Sequence, residues 1–312
     1  MSESDWPGLL RAADQSAARG EIHQARDQLA EFRATAGGEG WAPEAILLEG
    51  AIDGVSLGAR AGLAVLERLD LGWAEMRIGT RVRGMLERHF FAQMLGEREQ
   101  ADSILNQAAS VADESERKDL VAAVLRARAD QFATRGETAA ALAAFAKARE
   151  LYAALDRTRE AWGSLYCALR LKLLMGEWEQ VTDACKNELI PVAQEALRDE
   201  RLGAIGRGLL AAVSEARGEL DEALRIRRED ELPVYERLGD ARSRATTMGN
   251  IADILQARGE LDEALRIRRK EQLPVHERLG DVRERAVTMG KIADILQARG
   301  ELDEALRIRR EE

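Results

Sequence analysis

The fold is decided by a stretch that the chain repeats almost unchanged. Residues 218–258 read GELDEALRIRREDELPVYERLGDARSRATTMGNIADILQAR, and residues 259–299 read GELDEALRIRRKEQLPVHERLGDVRERAVTMGKIADILQAR. Only 8 of the 41 positions differ, and a third copy, GELDEALRIRREE, begins at Gly300. Self-similarity at a period of about 40 residues is typical of repeat architectures, in which each unit buries its apolar face against its neighbours.

Weaker copies of the same repeat occur throughout the earlier part of the chain. Glycines recur at nearly equal intervals at the same point of the pattern, at positions 20, 58, 96, 136, 176, 218, 259 and 300. Prolines at 191, 233 and 274 keep the same step. We therefore predict a single array of about seven and a half units. Its divisions are 1–57 and 58–95 (degenerate), 96–217 (divergent), 218–258 and 259–299 (near-identical) and 300–312 (partial).

Each unit is predicted to contain two helices. Met248, Ile251, Ala252 and Leu255 are spaced i, i+3, i+4 and i+7, which places one apolar stripe on a helix over about 242–257. Gly259 then ends this helix, because glycine readily takes the left-handed conformation that closes a helix.

A second helix is predicted to start directly after Gly259. Acidic residues fill its first turn, where the positive end of the helix dipole favours them, and Leu261, Ala264 and Leu265 face inward. Pro274 should kink or restart it, since proline lacks an N–H and crowds the carbonyl four residues earlier. Leu279, Gly280 and Asp281 are expected to end this helix and cap the next one.

This pattern resembles the tetratricopeptide repeat family, in the long-repeat variant found in bacterial arrays and in kinesin light chains. The resemblance rests on Met248, Ile251, Ala252 and Leu255 in helix A, on Gly259, and on Ala264 in helix B. It implies an all-α protein, an α-solenoid of stacked antiparallel helix pairs that form a right-handed superhelix. It also implies that the A helices line a concave groove.

Composition excludes several classes of protein. The 46 Lys and Arg against 56 Asp and Glu give a net charge of -10, which argues against a nucleic-acid partner. No apolar run is long enough to span a membrane, and the acidic start does not read as a signal peptide. We therefore expect a cytoplasmic protein. Cys167 and Cys185 are too few for a disulfide framework and are expected to be reduced thiols.

Motifs that would indicate catalysis are weak. Gly54-Val-Ser56-Leu-Gly58 fits G-x-S-x-G, but that motif needs a preceding strand, and residues 43–52 are predicted to be helical. The three histidines, His23, His89 and His276, lie in different repeats, so no metal site is expected. No cofactor motif is present, and we predict that the chain is not an enzyme.

Arginines recur in a ladder at 225/227/228, 266/268/269 and 307/309/310. They could attract an anionic partner. We favour surface ion pairs instead, because Asp221 and Asp262 precede Arg225 and Arg266 by four residues.

The positions at which the two near-identical copies differ give a candidate binding surface. Three of them, Ser243, Thr246 and Asn250, form a stripe roughly opposite the apolar face of helix A, and Asp253 extends it. In the tetratricopeptide repeat family, this face of helix A lines the concave groove. The candidate stripe is Ser243, Thr246, Asn250, Asp253, Glu284, Val287, Lys291 and Asp294. The competing interpretation is drift at exposed positions. A clamp for chaperone tails is disfavoured, because Asp253 and Asp294 stand where that clamp has asparagine.

We therefore predict a non-enzymatic scaffold that binds a protein or peptide in the groove of a helical superhelix. The alternative is the regulatory or sensor module of a larger bacterial signalling or defence protein whose catalytic domain lies outside this chain. Leu302, Ala305, Leu306 and Ile308 leave an apolar face on the helix over 301–312. Self-association through this face is a further expectation.

Overall fold

The computed structural model describes residues 7–18, 22–34, 41–69, 76–279 and 281–311. Every regular element in these ranges is helical, and none of the helices is both long and apolar enough to cross a membrane. The chain divides into two compact units, Met1–Leu171 and Lys172–Glu312.

The first unit contains nine helices among its described residues. They are α1 (Gly8–Ala18), α2 (Ile22–Ala34), α3 (Ala42–Ser56), α4 (Ala59–Glu67), α5 (Ile78–Met94), α6 (Arg98–Glu114), α7 (Lys118–Thr134), α8 (Thr138–Ala154) and α9 (Thr158–Leu174), which contains the boundary between the units.

The second unit contains the remaining helices, three of which include π-helical turns. They are α10 (178–196), α11 (Glu200–Ala216), α12 (220–238), α13 (Ala241–Ala257), α14 (261–279), α15 (Val282–Ala298) and α16 (Leu302–Glu311). Consecutive helices pack as pairs: α1 with α2, α3 with α4, α5 with α6 and α7 with α8 in the first unit, and α11 with α12, α13 with α14 and α15 with α16 in the second. The first helix of each glycine-linked pair is called A, and the second B.

The predicted helix over 242–257 is confirmed as α13, and its apolar stripe is buried. Met248, Ile251, Ala252 and Leu255 belong to one cluster with residues of α12, α14, α15 and α16. Gly259 has φ +81°, and the glycines at 58, 96, 136, 176, 218 and 300 also have positive φ. The glycine spacing therefore marks the ends of the A helices, as expected. Gly20 and Gly280 lie outside the described residues.

The predicted restart of helix B at its proline is confirmed, but a π-helical turn that the sequence does not predict precedes it. In α14 the segment Leu261–Ile267 is followed by the π-helical segment Arg268–Gln272 and then by Leu273–Leu279, which contains Pro274. Helix α12 repeats this arrangement with Ile226–Glu231 before Pro233. A π-helical turn holds one extra residue and is wider than an α-helical turn. In both helices this turn begins near a buried arginine and ends at a buried polar residue.

Aspartates join successive repeats in the second unit. Asp240 and Asp281 each accept a hydrogen bond from the backbone N–H three residues later, so both are N-caps, and the predicted cap at Asp281 is confirmed. Each also pairs with an arginine of the preceding A helix: Arg201 Nε lies 2.5 Å from Asp240 Oδ2, and Arg242 Nη2 lies 2.9 Å from Asp281 Oδ2. The same carboxylate therefore starts one A helix and fixes it to the one before.

Candidate functional site

The candidate stripe begins on α13 with two hydroxyl side chains in different settings. Ser243 is half-buried, and its Oγ accepts a hydrogen bond of 3.3 Å from Arg201 Nη2. Thr246 is exposed, and its Oγ1 donates to the carbonyl of Arg242 in its own helix. Thr246 is therefore available to a ligand, whereas Ser243 already takes part in the contact between α11 and α13.

Asp253 is engaged by two cations. Arg268 Nη2 lies 2.6 Å from Asp253 Oδ1, and Lys291 Nζ lies 3.2 Å from the same oxygen. Because Arg268 is buried, the carboxylate compensates a guanidinium that has left water. Asp253 is therefore a structural residue of the second unit, and it partly neutralises Lys291.

Asn250 and Lys291, at equivalent positions of the two repeats, have different neighbours. Both residues are half-buried. Lys291 faces Asp253 of the preceding A helix, whereas the residue at the corresponding position before Asn250 is Ala212. Lys291 is thus matched to a carboxylate on the preceding A helix, whereas the uncharged Asn250 has an alanine at the corresponding position of the A helix before it. The difference between the copies thus coincides with a difference in the neighbouring A helix.

The remaining stripe residues lie on α15. Glu284 is half-buried, and its backbone carbonyl accepts a hydrogen bond of 2.7 Å from Thr288 Oγ1. Asp294 is exposed and pairs with Arg309 of α16 at 2.6 Å. Val287 is 50% exposed, although its side chain is aliphatic. The stripe therefore presents Thr246 and Val287 to solvent at equivalent positions of the two repeats.

The predicted surface pairing of the arginine ladder is wrong at two of its members. Arg227 and Arg268 are buried, because each lies along the π-helical part of helix B and points at an A helix. Arg227 pairs with Glu215 at 2.8 Å and with Glu231 at 2.9 Å. Burial raises the pKa of the Glu231 carboxyl, while Arg227 and Thr247 oppose that shift.

Glycines of the A helices make room for these buried polar groups. A Cβ on Gly249 would lie 2.5 Å from Gln272 Nε2 and 3.1 Å from Arg268 Nη1. A Cβ on Gly208, at the equivalent position one repeat earlier, would lie 2.8 Å from Glu231 Oε1. Glycine recurring at this position of the A helices was the signal in the sequence that polar side chains of the B helices enter the interior there.

The outer arginines do form surface ion pairs, with partners other than those predicted. Arg225 pairs with Glu222 at 2.8 Å, and Arg266 pairs with Glu263 at 2.7 Å, in each case three residues earlier. Asp221 instead pairs with Arg258 at 2.8 Å, at the end of the A helix α13 that follows α12.

Ser56 has the surroundings of a structural serine. It is the last residue of α3, its buried Oγ donates to the carbonyl of Ile52 at 2.8 Å, and it accepts from Arg26 Nη2 at 2.8 Å. A helix precedes it where a nucleophile elbow has a strand.

The histidines and cysteines lie on five different helices. His23 is exposed on α2, His89 is buried on α5 and donates from Nδ1 to the carbonyl of Ala101, and His276 is buried on α14. Burial raises the pKa of the Cys185 thiol to about 12. Within the described ranges, no three His, Cys, Asp or Glu side chains are grouped to hold a metal ion.

Sequence reasoning missed a cluster of polar side chains on α7 and α9 of the first unit. Arg126 Nη2 lies 3.8 Å from Cys167 Sγ, and Asp130 and Arg170 are exposed at equivalent positions of the two helices. Counted from the glycine that follows each A helix, Asp130 and Arg170 stand where Asp253 stands in the candidate stripe. The repeats here are too divergent for a comparison of copies to find them.

Comparison with known proteins gives likenesses of structure alone. No protein-family model matches the sequence, and no curated protein matches it. A Rap protein complexed with competence and sporulation factor is 11% identical, with a TM-score of 0.59 over 97% of this chain and 95% of that one. Aspartyl phosphate phosphatase F from Bacillus subtilis is 12% identical, with a TM-score of 0.54 over 99% and 92%.

A third solved structure is a signal transduction ATPase with numerous domains from Pyrococcus horikoshii, which carries a tetratricopeptide repeat sensor. It is 14% identical, with a TM-score of 0.58 over 97% of this chain and 49% of that one. The apo form of the quorum sensor NprR from B. thuringiensis is 13% identical, with a TM-score of 0.50 over 99% and 98%. Together with the helix pairs, these likenesses establish a tetratricopeptide-like, helical-repeat solenoid fold.

Proposed function

We propose that the chain is a non-enzymatic scaffold that binds a protein or a peptide along the exposed face of its A helices. The observation that carries this proposal is the contrast between Thr246 and Val287. The two residues occupy the same exposed position of near-identical repeats, yet one is a hydroxyl and the other an aliphatic side chain. Different chemistry on one repeated backbone lets each repeat contact a different part of an extended ligand.

The solved structures of like fold support this class of function. One of them is a Rap protein complexed with competence and sporulation factor, and another is a quorum sensor. Recognition of a second molecule is the property of those proteins that we extend to this chain. The proposal includes no cofactor, no metal, no nucleic acid and no membrane partner.

A substitution on α15 tests the proposal. Val287→Arg adds a long charged side chain to the A-helix face, so it should reduce capture of the partner from an extract of the source cells about tenfold or more. Leu238→Arg is the matched control, because Leu238 is 45% exposed at the end of the B helix α12. Equal loss with both variants, or loss with neither, would contradict the proposed surface.

A second candidate function is a sensor module within a larger bacterial signalling or defence protein. The match to less than half of the archaeal ATPase, which carries such a sensor, favours it. An antibody raised against residues 218–299 should then detect, in source cells, a product much larger than a chain of 312 residues. A single product of that smaller size would remove this candidate and leave the scaffold in place.

A further inference from the structure

Two arginines on the A helices of the first unit differ in their partners from the buried arginines of the second unit. Arg126 on α7 is half-buried, and Arg170 on α9 is exposed. Among the described residues, no carboxylate forms an ion pair with either one. By contrast, the buried arginines of the second unit, Arg227 and Arg268, each pair with a carboxylate. A half-buried guanidinium without a paired carboxylate is costly, and an anion beside its Nη groups would offset that cost.

The two guanidinium groups border one small patch of α9. A Cβ on Gly163 would lie 3.8 Å from Arg126 Nη1, which is an ordinary van der Waals distance, so the guanidinium of Arg126 rests against this small residue without a clash. Arg126 Nη2 is 3.8 Å from Cys167 Sγ, and Arg170 follows Cys167 by about one turn of the helix. Gly163 and Cys167 are small, so they add little side-chain bulk between the two arginines.

An aromatic surface borders the same patch. The guanidinium carbon of Arg170 lies 5.9 Å from the ring centroid of Tyr166, and Tyr166 stacks on Trp162 with centroids 5.5 Å apart. An arginine placed over an aromatic ring is held in position while its N–H groups stay available.

Asp130 is the acidic residue that both arginines influence. Partial burial of its carboxyl raises its pKa, and Arg126 and Arg170 oppose that shift. Two guanidinium groups and one carboxylate leave a local excess of positive charge in a chain whose net charge is -10. This patch is therefore suited to an anionic group.

We propose that Arg126 and Arg170 bind a carboxylate of the peptide partner, between α7 and α9 of the first unit. The inference rests on the proposed scaffold function and assigns its ligand a chemical class, a peptide with an acidic group. The planar guanidinium fork donates paired hydrogen bonds to a carboxylate, which gives both strength and orientation. The carboxylate comes either from an Asp or Glu side chain or from the C-terminus of the peptide.

Three pools of degenerate eight-residue peptides separate these sources. The first pool has a fixed central Glu and an amidated C-terminus, the second has Gln in its place and is also amidated, and the third has Gln with a free C-terminus. Retention of each pool is measured on the immobilised full chain. We expect the wild type to retain the first or the third pool about tenfold better than the second.

Three variants identify the residues responsible. Arg170→Gln should abolish the preference for the pool that carries the carboxylate, whether the first or the third. Arg98→Gln removes the same charge from an exposed position of the B helix α6 and should leave the preference unchanged. Asp130→Asn should increase retention of the same carboxylate-bearing pool, because it removes a negative charge near the ligand. A gain confined to the carboxylate-bearing pool, with no gain for the amidated Gln pool, is not expected from misfolding.

The outcomes distinguish this inference from the function on which it rests. Equal retention of all three pools by the wild type, or a preference that survives Arg170→Gln, would overturn the carboxylate site and leave the peptide scaffold standing. Retention of no pool would overturn both. Cys167 gives an independent readout, because a bound peptide should slow its modification by a thiol reagent, while the fully buried Cys185 stays unreactive.

Discussion

Lys291 Nζ lies 3.2 Å from Asp253 Oδ1, so an ion pair joins the A helices α15 and α13. The same oxygen of Asp253 is 2.6 Å from Nη2 of the buried Arg268. One carboxylate thus serves a half-exposed lysine and a buried arginine, and the two contacts differ in what they contribute to stability. Exposed pairs contribute little, whereas a buried charge depends on its partner.

Asp253→Ala should lower the free energy of unfolding by about 1–3 kcal/mol, because Arg268 would keep only Gln272 as a partner. Lys291→Ala should lower it by less than about 1 kcal/mol. Urea denaturation followed by circular dichroism measures both. Equal losses in the two variants would show that Arg268 does not depend on Asp253.

Gly62→Ala should destabilise the first unit by about 1–3 kcal/mol, because the added Cβ would lie 2.7 Å from the carbonyl of Gly50 and 2.7 Å from Cα of Gly54. These are backbone atoms of α3, so relieving the clash would require the helix itself to shift. Gly203→Ala in α11 is the control, since its nearest neighbour would be Gln194 Cγ at an ordinary 3.5 Å. That variant should gain up to about 1 kcal/mol from helix propensity. Thermal unfolding of both variants decides whether close approach, rather than glycine itself, matters.

His276 should make the second unit sensitive to mild acid. Burial lowers the pKa of its imidazole, Asp281 and Glu284 of α15 oppose that shift, and Arg242 of α13 adds to it. The unfolded chain then binds a proton more readily than the folded one. Stability is therefore full above the unfolded pKa of about 6.5 and falls as the pH drops below it, by at most about 1.4 kcal/mol per pH unit.

His276→Tyr is the matched variant, because Tyr235 occupies the same buried position one repeat earlier. Tyrosine is uncharged over this range, so the variant should lose the part of the acid sensitivity that His276 supplies. His89, whose pKa is also lowered by burial, contributes equally to both proteins. Unfolding free energies measured between pH 7 and pH 5 should diverge as the pH falls, and parallel curves would contradict the assignment.

The expected self-association through the last helix can be tested at two leucines. Leu302 and Leu306 are 56% and 54% exposed on α16, whereas Leu265, the equivalent of Leu306 in α14, is 5% exposed. Light scattering should show a dimer for the wild-type chain and a monomer once both leucines are replaced with Glu. A wild-type chain that is already monomeric at high concentration would contradict self-association.

The repeat and its helices could be predicted from the sequence because their signals are periodic. The spacing of Met248, Ile251 and Leu255 gives the buried face of α13, and Gly259 gives its end. Local residue chemistry determines both features, so one copy of the repeat suffices to predict them.

The buried arginines could not be predicted in the same way. Arg227 and Arg268 stand in runs of charged residues that read as a solvated face, and only a π-helical turn and a facing glycine bring them inside. The Arg126 and Arg170 cluster was missed for another reason. It depends on contacts between two divergent repeats, and neither copy alone marks it.

Position-specific photo-crosslinking tests the central claim that the partner lies along the A helices. A benzophenone side chain is placed at Val287 on α15 or at Leu238 on α12, two aliphatic positions of similar exposure. We predict that one and the same partner is crosslinked from Val287 and not from Leu238. Crosslinking from Leu238 alone, or equally from both positions, would contradict this claim.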